Sequence, residues 1–395
     1  MLPLAVNEKD SPGKKLLILV NDLSFFLTHR LAIAKVAISQ GYDVIVGYGE
    51  LGRITRDTLR ELEFKIFYVP MRRGGTNLLQ ELRSFVSICY FFFKLKPDLV
   101  HLITIKPFLY GGLAARLMGI KSVVSAVPGL GHFFSRGNLR NRVLRALLFP
   151  LYRLAFGHPN QCVIIQNLDD ANFLVRWGVL NFHKTRLLRG SGVNLSEFTR
   201  LHEPEGIFTV CFAARLLRDK GVYDFVSAAR LLRKRGFNAR FWLAGNIDLS
   251  NPTGLTELDV KELREEGVVE VIGYQTDIPD LYSQSHIICL PSFYGEGLPK
   301  ALIEAAAASR AVVTTDHPGC RDAIIPNVTG LLIPVKNYER LAEALQWLIE
   351  HPKERIAMGR AGRKLAEQEF AIQKIVSGHL DIYQELLDNI SDFSE

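Results

Sequence analysis

The sequence contains little cysteine and no long apolar run, and each absence excludes a class of protein. Its 395 residues include five cysteines, with no Cys-x-x-Cys or Cys/His cluster. A disulfide framework and a structural zinc site are therefore excluded, and buried free thiols in a reducing compartment are expected. The longest uncharged apolar segment, Ser84–Phe93, has ten residues, whereas a transmembrane helix needs about 20. Because the N-terminal segment is polar and predicts no secretory signal, we expect a cytoplasmic protein that is soluble or lies on a membrane surface.

Acidic residues are absent between Asp98 and Asp169, a segment that contains eight lysines and arginines. Residues 1–200 hold 27 basic and 13 acidic residues, a balance of +14, whereas the rest of the chain holds 21 and 28, a balance of −7. This asymmetry predicts that the first half binds an anionic partner, such as a nucleic acid, an anionic lipid or a phosphorylated acceptor.

Apolar segments of strand length, such as Leu16–Val20, alternate with amphipathic segments of helix length along the whole chain. This βαβ repetition predicts an α/β protein with parallel, doubly wound sheets, whose ligands lie at the carboxyl ends of the strands. A glycine-containing hinge at Gly190–Gly192 interrupts the pattern. We therefore expect one domain over residues 1–190, a second over 191–370, and a C-terminal helix over 371–395 that crosses back to the first domain.

The densest motif is the segment Gly295–Lys300, which follows a predicted strand and begins a predicted helix. Gly297 permits a ligand to approach the backbone closely, and the N–H groups at the start of the helix suit a diphosphate. Glu296 lies at the mouth of the loop and Glu304 about two turns into the helix, so their carboxylates are placed to bind the hydroxyl groups of a sugar and a ribose. Taken alone, these residues also fit a helix cap followed by a surface glutamate.

A second motif, Ala214–Gly221, follows the predicted strand Phe208–Ala213 and therefore lies at a carboxyl end. Arg215 supplies a planar guanidinium fork and Lys220 a point charge, and both suit a phosphate group. A solvated basic loop is the alternative for this segment in isolation.

Together, the two motifs resemble the retaining glycosyltransferases of the family 4 type, which have the GT-B fold of two Rossmann-like domains facing across a cleft. The resemblance covers nearly the whole chain. It implies that residues 1–190 bind the acceptor and that residues 191–370 bind the nucleotide sugar. It also implies a set of donor contacts. Arg215 and Lys220 bind the diphosphate, and the backbone of Gly297 and Leu298 helps to hold the phosphate and the sugar. Glu296 contacts the transferred sugar, Glu304 the ribose, and Gly273 lies near the base.

The first half resembles a narrower group within this family. Segments such as Phe25–Arg30, Lys96–His101 and Gly129–Gly131 are similar to transferases that elongate a sugar on undecaprenyl diphosphate in bacterial polysaccharide and glycan assembly. This resemblance implies transfer of a hexose or N-acetylhexosamine, for example N-acetylgalactosamine, from a UDP-sugar to a lipid-diphosphate-linked saccharide. One departure is Asn21–Ser24, which replaces the Gly-Gly pair that many members carry after the first strand.

The acceptor side carries weaker motifs. His29, His101 and His132 each lie near a predicted strand or loop end, where a histidine could deprotonate the acceptor hydroxyl. We place His132 first, as a catalytic residue beside Glu296, because it follows the glycines of an exposed turn. Structural packing is the alternative for each histidine. The residues expected to bind the acceptor are His29, Arg30 and Lys106.

The segment Arg136–Arg153 is amphipathic, with leucines on one half of its helical wheel and arginines, including Arg142 and Arg145, on the other. This pattern predicts a helix lying on an anionic membrane and a peripheral location on the inner face of the cell membrane. A core-facing helix with a solvated basic face is the alternative.

We expect no metal ion and no other cofactor. The sequence contains no Asp-x-Asp motif and no His/Asp cluster, and the resemblance implies that cations and helix N-termini stabilise the leaving nucleoside diphosphate instead. No nucleophile is evident, so same-face attack by the acceptor hydroxyl is the expected route to retention.

Three other functions fit parts of the sequence. The segment Gly47–Gly52 matches Gly-x-Gly-x-x-Gly and would suit a dinucleotide oxidoreductase, although it follows the second predicted strand and leaves Arg215 and Glu296 unexplained. The basic first half would suit nucleic acid, but no helix-turn-helix, RNP or zinc pattern is present, so we expect no nucleic-acid partner. A sugar-nucleotide epimerase shares the GT-B fold, and it would differ in acting without an acceptor.

Overall fold

Two parallel β-sheets, one of seven strands and one of six, form the framework of the chain in this computed structural model. The structure describes residues 13–52, 54, 64–72, 77–130, 139–249 and 251–392, and for 139–145 and 391–392 it describes the backbone only. The two sheets and their helices confirm the predicted α/β class.

The first sheet has the strand order β3-β2-β1-β4-β5-β6-β7. Its strands are β1 (Lys15–Asp22), β2 (Asp43–Glu50), β3 (Lys65–Tyr68), β4 (Leu99–Ile103), β5 (Ser122–Val127), β6 (Gln161–Ile165) and β7 (Thr185–Leu187). The apolar run Leu16–Val20 in β1 is buried, as expected of a strand that is covered on both faces. Because β1 pairs in parallel with both β2 and β4, the strand order reverses between β1 and β4.

The second sheet has the strand order β10-β9-β8-β11-β12-β13. Its strands are β8 (Phe208–Ala213), β9 (Ala239–Ala244), β10 (Glu270–Gly273), β11 (Ile287–Leu290), β12 (Ala311–Thr315) and β13 (Gly330–Ile333). β8 pairs in parallel with both β9 and β11, so the order of this sheet reverses between β8 and β11. Ligands of open parallel sheets bind beyond the carboxyl ends of the strands at such a reversal.

Helices follow most of the strands, as the sequence pattern predicts. They are α1 (Leu23–His29), α2 (Leu31–Ser39), α3 (Leu78–Leu95), α4 (Gly112–Leu117), α5 (Leu139–Ala155), α6 (Leu168–Arg176), α7 (Val222–Lys234), α8 (Glu257–Glu266), α9 (Ile278–Ser283), α10 (Lys300–Ala307), α11 (Tyr338–Glu350), α12 (Pro352–Leu365) and α13 (Ile372–Asp392). Within the part of the chain that the structure describes, no helix combines the length and the apolar character needed to cross a membrane.

The chain divides into two compact units that are not continuous in sequence. The first consists of the described residues within Met1–Ser125, Leu154–Cys162 and Leu380–Glu395, and the second of those within Ala126–Arg153 and Val163–His379. The second unit therefore includes the segments that follow β5 and β6 as well as the whole second sheet.

The end of α13 contributes to the interior of the first unit. Tyr383 is buried, and its hydroxyl lies 2.6 Å from Nδ1 of His101 on β4. The backbone carbonyl of Leu386 accepts hydrogen bonds from Ser122 Oγ at 3.0 Å and from Asn160 Nδ2 at 2.7 Å. These contacts fix the end of the helix against β5 and the loop before β6.

The core of the second unit forms around β8 and β11. Cys211 on β8 and Cys289 on β11 are fully buried beside Phe225 from α7. All five cysteines of the chain are free thiols. The expectation that they act as small apolar side chains is met at the four buried positions, which are Cys162, Cys211, Cys289 and Cys320.

Local structure differs from the sequence pattern at two places in the first unit. The apolar spacing of Thr28–Gln40 predicts a single helix, but Arg30 has φ −135° and ψ −8° and separates α1 from α2. Gly47 and Gly49 lie inside β2 rather than in a loop after it. They therefore do not form a phosphate-binding turn, because strand residues direct their N–H groups to neighbouring strands. The spacing of Arg53–Glu63 also predicts a helix, and this segment falls largely outside the described residues.

Candidate functional site

The loops that follow β8 and β11 lie at the strand-order reversal of the second sheet and carry most of the predicted donor residues. Gly221 has φ +81°, and a Cβ added there would lie 2.2 Å from the carbonyl oxygen of Pro291. The N–H of Phe293 donates to the carbonyl of Asp219 at 2.9 Å. The two loops are therefore in direct backbone contact, which requires glycine at position 221.

Lys220 and Glu296 meet where the two loops touch. The Lys220 ammonium forms an ion pair with Oε1 of Glu296, and the two side chains are only 10% and 12% exposed. Ser292 Oγ donates to the same carboxylate oxygen at 3.3 Å. Removing one member of a buried ion pair leaves the other charge without compensation, which costs free energy. An incoming anion that binds Lys220 would therefore compete directly with Glu296.

Arg215 adds a second cation to this place. Its guanidinium donates to Oδ2 of Asp248 at 2.7 Å. The guanidinium carbon lies 6.0 Å and the Lys220 ammonium 5.5 Å from the ring centre of Tyr294. Both cations therefore face one aromatic ring, and the structure brings Arg215, Lys220 and Glu296 together.

Glu304 lies on α10, which Pro299 precedes as its N-cap residue. The carboxylate is 13% exposed and lies 3.4 Å from the Lys300 ammonium, one helical turn away. Burial raises the pKa of Glu304, and Lys300 acts in the opposite direction. A largely buried carboxyl group of this kind needs hydrogen-bond partners, and neutral hydroxyl groups can supply them.

The segment Glu296–Leu298 is packed closely on all sides. A Cβ added at Gly297 would lie 2.2 Å from Oε1 of Gln166 and 2.5 Å from the carbonyl oxygen of Pro128. Gly129 (φ +122°) and Gly319 (φ +81°) approach the same backbone, since added Cβ atoms there would lie 2.5 Å from the nitrogen and 2.4 Å from the oxygen of Gly297. A side chain at residue 297, 129 or 319 would therefore overlap the backbone or side chain that it faces.

Two residues that sequence reasoning missed hold this segment. Gln166 Oε1 accepts from the N–H of Leu298 at 2.9 Å, and Asn167 Nδ2 donates to the carbonyl of Gly297 at 2.9 Å. Leu298 thus uses its N–H within the protein. The sequence does contain a pattern that could have indicated them. A polar pair directly follows the apolar strand β6, and Asp170 stands three residues after Asn167, which is the spacing of a helix N-cap.

Asp170 lies behind this contact. Its Oδ2 accepts from Asn167 Nδ2 at 3.0 Å, and its N–H donates to Asn167 Oδ1 at 2.8 Å. Burial raises the pKa of Asp170 to about 7; the hydrogen bond from Asn167 opposes this shift, and the charges of Asp169 and Asp322 add to it.

The remaining donor-side residue, Gly273, ends β10 with φ +72°. Its carbonyl accepts from the N–H of Gly245 at 2.8 Å. The next residue, Tyr274, exposes more than half of its side chain. This edge of the sheet offers an aromatic surface beyond β9 and β10.

The predicted acceptor residues of the first unit have different surroundings. His29 stacks on Phe25 with ring centres 4.2 Å apart. Lys106 lies 2.5 Å from Oε1 of Glu81, whose other oxygen accepts from the Tyr110 hydroxyl at 2.7 Å.

Arg30 is buried rather than exposed to a ligand. It is only 2% exposed, and its guanidinium donates to the carbonyl of His29. Burial lowers the pKa of Arg30 to about 10. Arg30 lies between α1 and α2, and its role in binding the acceptor stays a prediction. His132 lies outside the described residues.

Among the described residues, no three histidine, cysteine, aspartate or glutamate side chains lie close enough together to hold a metal ion.

Two protein-family models match most of the chain between them. The model described as "Glycosyl transferase 4-like" matches residues 15–167, and the model described as "Glycosyl transferases group 1" matches residues 196–365. The second match contains Arg215, Lys220, Glu296 and Glu304.

Several curated bacterial proteins are similar over most of their length. N,N'-diacetylbacillosaminyl-diphospho-undecaprenol alpha-1,3-N-acetylgalactosaminyltransferase of Campylobacter jejuni is 28% identical over 84% of this chain and 89% of its own. UDP-Gal:alpha-D-GlcNAc-diphosphoundecaprenol alpha-1,3-galactosyltransferase of Escherichia coli is 22% identical over 82% and 85%. The capsular polysaccharide biosynthesis glycosyltransferase CapM of Staphylococcus aureus is 24% identical over 80% and 84%.

Solved structures of low sequence identity share the fold. A glycosyltransferase from Rickettsia africae superimposes with a TM-score of 0.75 at 18% identity, covering 95% of this chain and 99% of its own. Anabaena Alr3699/HepE in complex with UDP and glucose gives a TM-score of 0.75 at 17% identity, covering 94% and 99%.

The close packing at Gly297 predicts that Gly297→Ala destabilises the protein. The added methyl group meets the backbone oxygen of Pro128, which no side-chain rotation can move. Overpacking of this kind costs about 1–3 kcal/mol, or several degrees in melting temperature. Gly362→Ala is the matched control, because its added Cβ lies 3.5 Å from the nearest atom and α12 favours alanine. Equal melting temperatures for the two variants, measured by differential scanning fluorimetry, would contradict this account.

The raised pKa of Asp170 predicts a pH-dependent loss of stability. Between about pH 4 and pH 7 the unfolded chain ionises this carboxyl group while the folded chain keeps it protonated, so stability falls as the pH rises and the full cost is present above pH 7. Asp170→Asn removes this cost and keeps an oxygen to accept from Asn167. We expect the melting temperature of the variant to gain roughly 3 °C or more on the wild type between pH 5 and pH 8. A difference that is constant over this range would refute the assignment.

Proposed function

The chain belongs to the family 4-type glycosyltransferases with the GT-B fold, which act in bacterial glycan assembly, and we propose that it transfers a sugar from a UDP-linked donor to a lipid-diphosphate-linked saccharide. The observation that carries the proposal is the meeting of Arg215, Lys220 and Glu296 at the strand-order reversal of the second sheet. The names of two curated relatives, which specify transfer onto diphospho-undecaprenol-linked sugars, support the acceptor class. N-acetylgalactosamine is one candidate for the transferred sugar.

Arg215 and Lys220 are proposed to bind the diphosphate of the donor. Arg215 pairs with the carboxylate of Asp248 and Lys220 with that of Glu296. A diphosphate carries more negative charge than either carboxylate and would draw both cations toward it. Their charge would then stabilise the nucleoside diphosphate as it leaves. Because these side chains supply the positive charge, we propose that transfer requires no metal ion and no other cofactor.

Glu296 is proposed to contact the transferred sugar. When Lys220 turns to phosphate, the Glu296 carboxylate gains a free acceptor oxygen for a sugar hydroxyl, close to the bond that breaks. We propose that the acceptor hydroxyl attacks from the face that the diphosphate leaves, which retains the configuration of the sugar. The backbone at Gly297 and Leu298 supports this side of the site.

Glu304 and Gly273 are proposed to bind the nucleoside. The buried Glu304 carboxyl group can exchange hydrogen bonds with both ribose hydroxyls. The exposed ring of Tyr274, next to Gly273, offers a surface on which the base can stack.

The acceptor is proposed to bind the first unit. Lys106 supplies a cation for the lipid diphosphate, although it must exchange its present partner Glu81. His29, at the end of α1, and His132 stay the candidate groups for deprotonating the acceptor hydroxyl, whereas the third histidine, His101, is fully buried against Tyr383.

A peripheral membrane location would bring the enzyme to its lipid-linked substrate. In α5, Leu147, Leu151 and Leu154 are exposed at helical spacing, and the segment carries arginines and no acidic residue. Helix α3 has a second exposed apolar stripe, consisting of Leu79, Leu82, Val86, Tyr90 and Phe93. Basic residues beside apolar stripes favour an anionic lipid surface.

Loss of Lys220 or Glu304 tests the donor site. We expect Lys220→Met and Glu304→Ala each to lower kcat/KM for the UDP-sugar by about 100-fold or more, because the first removes the positive charge at the diphosphate and the second removes the contact to the ribose hydroxyls. Lys261→Met is the control, since this lysine is 69% exposed in a surface pair with Glu265, and we expect activity within about two-fold of wild type. Donor-site variants with near-wild-type turnover would refute the assignment.

The assay uses a panel of UDP-sugars with undecaprenyl-diphosphate-linked mono- and disaccharides. UDP release should require an acceptor, and the lipid-linked product should gain one sugar. Conversion of the UDP-sugar without any acceptor would indicate an epimerase instead.

Vesicle sedimentation tests the membrane surfaces. We expect the double variants Arg142→Glu/Arg145→Glu and Leu82→Ser/Val86→Ser to reduce binding to phosphatidylglycerol vesicles by roughly ten-fold, because each removes charge attraction or apolar insertion. Leu258→Ser is the control, since this leucine is similarly exposed on α8 of the second unit. Sedimentation of both double variants at the wild-type level would remove these helices from the membrane contact.

A further inference from the structure

We propose that Gln166 and Asn167 are positioning residues for the donor sugar, because their side chains hold both polar atoms of the peptide that joins Gly297 to Leu298. This inference rests on the proposed function, since it takes Glu296 as the residue that contacts the transferred sugar. Neither residue is itself assigned a contact with the substrate.

The geometry at this peptide is specific. Gln166 Oε1 accepts from the Leu298 N–H at 2.9 Å, and Asn167 Nδ2 donates to the Gly297 carbonyl at 2.9 Å. The carbonyl of one residue and the N–H of the next belong to a single planar group. With both ends held, this group cannot rotate without breaking two hydrogen bonds.

Burial makes these bonds costly to lose. Gln166 is 6% and Asn167 1% exposed, so water has little access to replace either side chain. Because a Cβ at residue 297 would overlap Oε1 of Gln166, the glycine and the glutamine also fit each other in size.

The hold extends to Glu296. Asn167 Nδ2 also lies 3.3 Å from the carbonyl oxygen of Glu296, so the peptides on both sides of Gly297 are fixed to one side chain. The Glu296 side chain therefore leaves an anchored backbone on its way to Lys220 and Ser292. Because the Leu298 N–H donates to Gln166, it is not available to the donor. The group that this loop offers to the donor is instead the Glu296 carboxylate.

Asn167 also has a structural role in α6. Its Oδ1 caps the helix by accepting from the N–H of Asp170, and its Nδ2 donates to Asp170 Oδ2 at 3.0 Å as well as to the loop. Asn167→Ser keeps an oxygen for the cap but removes the amide group that reaches the loop and Asp170. For Gln166, the glutamate variant keeps an acceptor oxygen and the leucine variant has similar size without one.

Steady-state kinetics on the purified full chain test the positioning role. We expect Gln166→Leu and Asn167→Ser to lower kcat about ten-fold, the usual effect of one lost buried hydrogen bond, with KM for the acceptor unchanged. Gln166→Glu should restore most of kcat. An unchanged kcat in Gln166→Leu, or equal losses in the leucine and glutamate variants, would overturn the proposal. A structural defect alone would lower the melting temperature and the active fraction without this rescue.

Amide hydrogen exchange without substrate separates this proposal from the proposed function. We expect faster exchange of the Leu298 N–H in Gln166→Leu and Asn167→Ser than in wild type or Gln166→Glu, with α6 equally protected in all four proteins. Unchanged exchange in Gln166→Leu would overturn the inference even if the wild type transfers sugar. A wild type that transfers no sugar from any UDP donor would refute the donor role, while the exchange result would still decide whether the pair holds the peptide.

Discussion

The ion pair between Lys220 and Glu296 is the contact on which the organisation of the second unit's site depends. The two residues come from loops on either side of the strand-order reversal between β8 and β11, and each is almost completely shielded from solvent. Such a pair is weak evidence for stability, because removing both charges from water costs nearly as much as their attraction returns. Under the proposed function, the pair keeps a cation and a carboxylate in place, and they exchange partners when a more highly charged anion binds.

The surrounding packing keeps that exchange local. Gly221 allows one loop to touch the backbone of Pro291, and Gly297 allows the other to lie against Pro128 and Gln166. The backbone is thus held by close contacts on both sides, while the charged ends of Arg215, Lys220 and Glu296 contact one another, neighbouring polar side chains and the Tyr294 ring. Under the proposed function, binding of a diphosphate would reorganise these side chains without remodelling the loops, as electrostatic preorganisation requires.

Much of this arrangement can be predicted from sequence because it depends on neighbouring strands. The apolar runs of β8 and β11 fix where each strand ends, and parallel neighbours place Arg215, Lys220 and Glu296 at a common edge. Gln166 and Asn167 escaped prediction because their partners lie 132 and 130 residues further along the chain, and no local pattern records that proximity. The burial of Arg30 was also missed, because the break between α1 and α2 is not evident in the sequence pattern.

The most direct measurement is a crystal structure of the protein with UDP bound. The account predicts diphosphate oxygens within about 3 Å of both the Arg215 guanidinium and the Lys220 ammonium, with Lys220 drawn away from Glu296 and the ribose hydroxyls on Glu304. UDP bound elsewhere, with the ion pair between Lys220 and Glu296 intact, would contradict it.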